Sequence, residues 1–135
     1  MPVRVRYDLS AAVSSTSAED RDLGNVDFEV VTDTLNQGGT WKTRLPASTP
    51  QTQYPLDSIP AASLLIIRTN AVDPNQTPVP ITVQLNSPSA TPITVAPLGD
   101  AQEGHMLLST MGITALYLTN TGGVDMEVTI VTAGP

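Results

Sequence analysis

Between residues 79 and 97 one short phrase occurs twice, Pro80-Ile81-Thr82-Val83 and Pro92-Ile93-Thr94-Val95, with a Pro/Ser-rich gap between the copies. Ile81, Val83 and Leu85 alternate with Thr82 and Gln84, and a period of two fits a strand with one buried face, not a helix. The pair predicts a β-hairpin. The same alternation recurs along the chain. Residues 2–9 place Val3, Val5, Tyr7 and Leu9 on one face and Arg4, Arg6 and Asp8 on the other, as in a half-buried strand. Residues 26–35 and 39–46 flank Asn36-Gln37-Gly38-Gly39, whose glycines can take positive φ, so they predict a second hairpin that sets Asp33 opposite Lys42. In its second strand Trp41, Thr43 and Leu45 share a face, with Lys42 and Arg44 on the reverse. Leu64, Leu65, Ile66 and Ile67 are consecutive, which predicts a central strand covered on both faces. Strands follow over 106–109, 113–120 and 126–132, the last two joined by an Asn120-Thr121-Gly122-Gly123 turn.

The connecting stretches are small, polar or rich in proline. Residues 10–22 show no apolar periodicity, and Ser17 with Asp20 three positions on fits one capped helical turn or a plain loop. Residues 46–54, rich in Pro, Thr and Gln, predict a loop or an irregular edge, because proline cannot donate to a ladder. Nine or ten short strands at a spacing of about 8 to 12 residues predict an all-β fold, an antiparallel β-sandwich or jelly roll, with an open barrel as the alternative. One domain over residues 1–135 is expected, with 1–22 as a candidate N-terminal arm or tether.

Length and composition agree with this. A chain of 135 residues buries roughly 65 to 70% of its unfolded surface and needs no covalent staple. It has no cysteine, which removes disulfides, thiolate ligands and thiol nucleophiles. No segment approaches the roughly 20 apolar residues of a membrane-spanning helix, and the N-terminus reads as a strand and not as an export signal, so synthesis in the cytoplasm is expected. Net charge is −7, and all six basic residues (Arg4, Arg6, Arg21, Lys42, Arg44, Arg68) precede a second half that carries only acidic side chains. That layout disfavours nucleic acid, which requires several cations for its phosphates, and predicts an electrostatically two-sided domain.

Candidate chemistry is sparse. His105 is the single histidine, and no Gly-x-Ser-x-Gly elbow accompanies it. Asp20/Asp22 and Asp27/Glu29 read as solvated surface charge. Calcium ligation would draw on Asp100, Gln102 and Glu103, or on Asp73 and Asn75, but neither spacing matches a calcium loop. No catalytic, cofactor-binding or metal-binding residue is assigned. A glycan site would need an aromatic platform, for which Trp41, Tyr54 and Tyr117 are available.

From Ser63 onward the chain runs SLLIIRTN, two Thr/Pro-rich strands, and then GHMLLSTMGITALYLTNTGGVDMEVTIVTAGP. This closing pattern resembles that of small structural proteins of tailed bacteriophage virions, and Gly39-Thr40-Trp41 before a Pro/Thr loop looks similar as well. The resemblance covers about two thirds of the chain and carries no catalytic motif. It implies a non-enzymatic virion protein, a head decoration or cement protein that braces coat subunits, without cofactor and without a nucleic-acid or membrane partner. The expected partners are the major capsid protein and other copies of the chain, and the alternative is a receptor- or glycan-binding module or a tail or adaptor protein. The interface residues expected on this reading are Arg4, Arg6, Trp41, Lys42 and Arg44.

Overall fold

The computed structural model describes residues 3–14, 22–35, 37–56 and 59–135. It contains ten β-strands, all antiparallel, and no helix among the described residues. β1 (Val3–Ser14) and β2 (Asp22–Leu35) form a two-stranded ribbon. β3 (Gln37–Leu45), β4 (Thr49–Tyr54), β5 (Ala62–Ala71), β6 (Ile81–Leu85), β7 (Ile93–Val95), β8 (Glu103–Ile113), β9 (Leu116–Asn120) and β10 (Met126–Gly134) build two four-stranded sheets. Their orders are β3-β10-β5-β8 and β4-β9-β6-β7.

These orders have one origin. β3 pairs with β10, β4 with β9, β5 with β8 and β6 with β7, a nested set of antiparallel pairs, as if one long hairpin centred on the β6–β7 turn had been rolled up. Rolling then brings β10 beside β5 and β9 beside β6. That is an eight-stranded jelly roll. The doubled Pro-Ile-Thr-Val phrase is the hairpin at its centre, with Ile81 opposite Val95 and Val83 opposite Ile93, as its alternation predicts. The open barrel is excluded by the two separate sheets.

Burial follows the alternation. Met126, Val128 and Ile130 of β10 point inward and are fully buried, and they meet Leu65, Ile67, Ile81, Val83, Leu116 and Leu118 in one aliphatic core. β5 lies inside its sheet, and Leu64 on its outer face is buried too, while Ile66 is half-buried. β4 is the edge strand expected of a Pro/Thr/Gln run, with a register shift between Thr49 and Thr52.

Two turns at one end are fixed by side chains. Asn120 is fully buried; its Nδ2 donates to the carbonyls of Leu45, Pro46 and Val124 at 2.9–3.1 Å, and its Oδ1 accepts from Gly122 N. Asp125 Oδ1 accepts from Ala47 N at 2.8 Å, and its other oxygen pairs with Arg44. The Ala47 amide, and then Arg44, hold the Asp125 carboxyl below the usual carboxylate range. A depressed folded-state pKa contributes stability above the unfolded value, about 3.9, and that contribution is lost as pH falls through the folded value. Asp125→Asn should therefore lower the urea midpoint at pH 7 and lower it less at pH 3; a deficit independent of pH would refute this account.

The second predicted hairpin is not formed. β2 turns back onto β1 and β3 pairs with β10, so Asp33 lies beside Arg4 at 3.1 Å and Lys42 beside Glu127 at 3.7 Å. Gly38 and Gly39 are ordinary strand residues inside β3, and positive φ at a described glycine occurs only at Gly99 and Gly112. Asn36 of the expected turn, and Ser17 and Asp20 of the expected cap, lie outside the described residues. The polar run after Leu9 continues β1 as far as Ser14 instead of forming a loop from Ser10.

Candidate interaction surface

The ribbon has two unlike faces. Directly paired residues point the same way, so Val5, Tyr7 and Leu9 share a face with Thr32, Val30 and Phe28. Tyr7 and Phe28 meet edge to face with ring centroids 6.2 Å apart. Nothing among the described residues closes over this face at its middle, where Leu9 and Phe28, opposite each other, remain 39% and 37% exposed. The reverse face is mostly charged, with Val31, 52% exposed, opposite Arg6; Arg4 pairs with Asp33, and Arg6 bridges Glu29 at 3.3 Å and Asp8 at 3.6 Å. Arg6 thereby relieves a repulsion, since Asp8 and Glu29 are directly opposite across the strands. All these side chains are more than half exposed, so each pair is worth at most about 1 kcal/mol.

The ribbon meets the jelly roll at its base. Val3 lies against Gly38, and Val3 to Arg6 line, with Gly38, Thr40, Val131 and Ala133, a cavity of about 320 Å³ between β1 and the outer surface of β3 and β10. The outer face of that sheet changes character along its strands. Near the ribbon, Thr40, Val131, Ile66 and Leu107 form one cross-sheet row. The next two rows are polar: Lys42, Thr129, Arg68 and His105, then Arg44, Glu127, Asn70 and Glu103. A shallow cleft of about 270 Å³ opens over the last of these, lined by Arg68, Asn70, Gln76, Gln102, Glu103 and Glu127. The strands of the other sheet hold no Lys, Arg, Asp or Glu. On its outer face Tyr117 lies between Gln53 and Gln84.

The five expected interface residues are thus split. Arg4 and Arg6 sit on the charged face of the ribbon, and Lys42 and Arg44 on the outer face of β3. Each of these four cations has an acidic partner within the chain. Trp41 is half-buried on the inner face of β3, opposite Ile130 and packed against the core, where it offers no exposed platform. Tyr54 also packs against the core, and burial raises its phenol pKa. The surface that sequence reasoning misses is the face Val30 and Phe28 share with Tyr7 and Leu9: a hairpin of residues 26–35 with β3 hides it, and only the true partner, β1, brings these four apolar residues to one side.

His105 is exposed and hydrogen-bonds Glu103 at 3.1 Å, and among the described residues no serine or second acid is hydrogen-bonded to it to complete a relay. Asp73 accepts from Asn75 N at 2.9 Å in a local turn. Among the described residues no three of His, Asp and Glu converge as metal ligands. No protein-family model matches the chain, and no curated protein matches it in sequence.

Proposed function

We propose that the chain is a non-enzymatic structural protein of a tailed-phage particle, a decoration or cement protein that binds the outside of the head and braces neighbouring coat subunits. The observation that carries this reading is the β1–β2 ribbon, anchored to a jelly roll at its base and presenting at its middle, around Leu9 and Phe28, an apolar face that the described part of the chain leaves open. A two-stranded ribbon alone is marginal in water and gains stability from a further layer, so such a face is suited to contact between chains. The jelly-roll body fits the same reading, because this architecture recurs in viral shell proteins, although it also serves lectins and so does not decide the matter alone. The closing strand pattern from Ser63 adds its resemblance to virion structural proteins.

Heads of the encoding phage, purified on a density gradient and imaged by cryo-electron microscopy, should carry this chain on their outer surface at a fixed ratio to coat protein. Heads lacking it should open at lower temperature. Absence of the chain from heads, or its presence only in tails, would overturn the assignment.

A further inference from the structure

We propose that the cleft at the polar end of the β3-β10-β5-β8 sheet, lined by Arg68, Asn70, Gln76, Gln102, Glu103 and Glu127, binds one ring of an uncharged saccharide through its hydroxyl groups. This goes beyond the structural role argued above and does not rest on it.

Strand register assembles the groups. Glu127, Asn70 and Glu103 form one cross-sheet row, so the two glutamates stand about 10 Å apart at the backbone with an amide between them. Arg68 lies two positions before Asn70 on the same face of β5. Much of the hydrogen-bonding capacity of this set is unused within the protein. Lys42 lies 3.7 Å from Glu127 Oε1 and His105 3.1 Å from Glu103 Oε2, but neither Glu127 oxygen nor Glu103 Oε1 accepts a hydrogen bond. Asn70 Nδ2 donates to Ala71 O and Gln102 Nε2 to Asp100 O, which leaves both amide oxygens open to the cleft, and the Gln76 amide makes no side-chain hydrogen bond. Among the described Lys and Arg residues Arg68 alone has no acidic partner, and its Nε is buried without an acceptor.

That combination selects its ligand. Arg68 requires an acceptor, and the two glutamates require donors. A carboxylate or phosphate brought to Arg68 meets two like charges, and an ammonium brought to the glutamates meets the guanidinium, so both kinds of ion are disfavoured. A hydroxyl is donor and acceptor at once, and neighbouring hydroxyls on a sugar ring serve the guanidinium and the carboxylates together without adding charge. Hydrogen bonds of this kind, with one charged member, are the strongest that a neutral ligand can make. The volume agrees: about 270 Å³ lies just under the roughly 300 Å³ at which small-molecule sites begin, room for a single ring and not for a chain. Ala71 and Pro74 complete the lining and give the ring's C–H groups an apolar contact. No aromatic side chain lines the cleft, so the site is distinct from the aromatic platform that a search of the sequence for glycan binding looks for.

Saturation-transfer difference NMR on the full chain, with the methyl glycosides of glucose, galactose, mannose and N-acetylglucosamine each at millimolar concentration, should show transfer to at least one of them. Arg68→Gln and Glu127→Gln should each weaken its binding by about tenfold or more, as loss of one charge-assisted hydrogen bond implies. Thr94→Ala, on the outer face of the other sheet, should leave binding unchanged. Trp41, the single tryptophan, reports through its fluorescence that each variant stays folded. Acetate, methylammonium and N-methylacetamide, standing for an acid, an amine and a peptide group, should not displace the sugar. Absence of transfer to all of the glycosides, transfer undiminished in Arg68→Gln, or displacement by N-methylacetamide would overturn the proposal. A sugar-binding chain absent from phage heads would refute the decoration role and leave this inference standing.

Discussion

Asn120→Asp is expected to destabilise the protein by about 3 kcal/mol or more at pH 7. Asn120 is fully buried, and its Nδ2 faces the carbonyl oxygens of Leu45, Pro46 and Val124. Exchanging the amide nitrogen for oxygen removes both donor hydrogens and points a lone pair at three acceptors. An ionised carboxylate there has no cation: Arg44 is already engaged with Asp125. The introduced carboxyl therefore takes up a proton in the folded state at a higher pH than in the unfolded chain. A raised folded-state pKa makes the variant's deficit grow as pH rises above the unfolded value and shrink below it. Urea unfolding of both proteins at pH 7 and pH 4.5 reads this directly. A shift below 0.5 kcal/mol, or one that does not lessen at the lower pH, would show that the buried amide is not what joins the β3–β4 turn to the β9–β10 turn.

Gly104→Val should cost about 2 to 3 kcal/mol by overpacking. Gly104 is buried in β8 opposite Thr69. A Cβ built there lies 2.7 Å from Thr69 Oγ1 and 2.9 Å from the carbonyl carbon of Ala96, closer than real Cβ contacts come. The second neighbour is backbone, and Pro97 forms an antiparallel bridge to Gly104, so neither side can yield without opening the seam between the end of β7 and β8. Gly123→Ala is the control, because a Cβ at Gly123 meets nothing within 4 Å. Thermal unfolding of the two variants should separate clearly; equal midpoints would mean that the two sheets are not pinched together at Gly104.

What could be read from the sequence follows the range of the interactions concerned. The β6–β7 hairpin was legible because both strands and their turn fall within 79–97 and repeat one phrase. The inward faces of β3 and β10 were legible because Trp41, Thr43 and Leu45, and Met126, Val128 and Ile130, alternate with polar residues. The same alternation set Trp41 on one face with the fully buried Leu45, which is why it packs against the core. The pairing of β3 with β10 left no local mark, since the partners of Gln37 to Leu45 lie at Met126 to Gly134, and the Gly38-Gly39 pair imitates a turn. Residues Ser10 to Ala12 escaped as strand because they are exposed, and periodicity is written only where a face is buried. The candidate surface was hidden for a related reason: its two halves, on β1 and β2, are recognisable as one face only once their register is known.

The position of β10 also governs the order in which the molecule can be completed. β10 lies between β3 and β5, so those two strands, made early, have no common neighbour until the ribosome has delivered residues as far as Gly134. Until then the β3-β10-β5-β8 sheet lacks its second member, and Leu65 and Ile67 face a half-built core. Among the described strands only β1 with β2 and β6 with β7 pair with their immediate neighbour in sequence, so only these can form from contiguous sequence during synthesis. Closure is thus dominated by long-range pairing, the regime of millisecond-to-second folding, and the nascent chain must carry unpaired strand edges through elongation before a single late strand seals them.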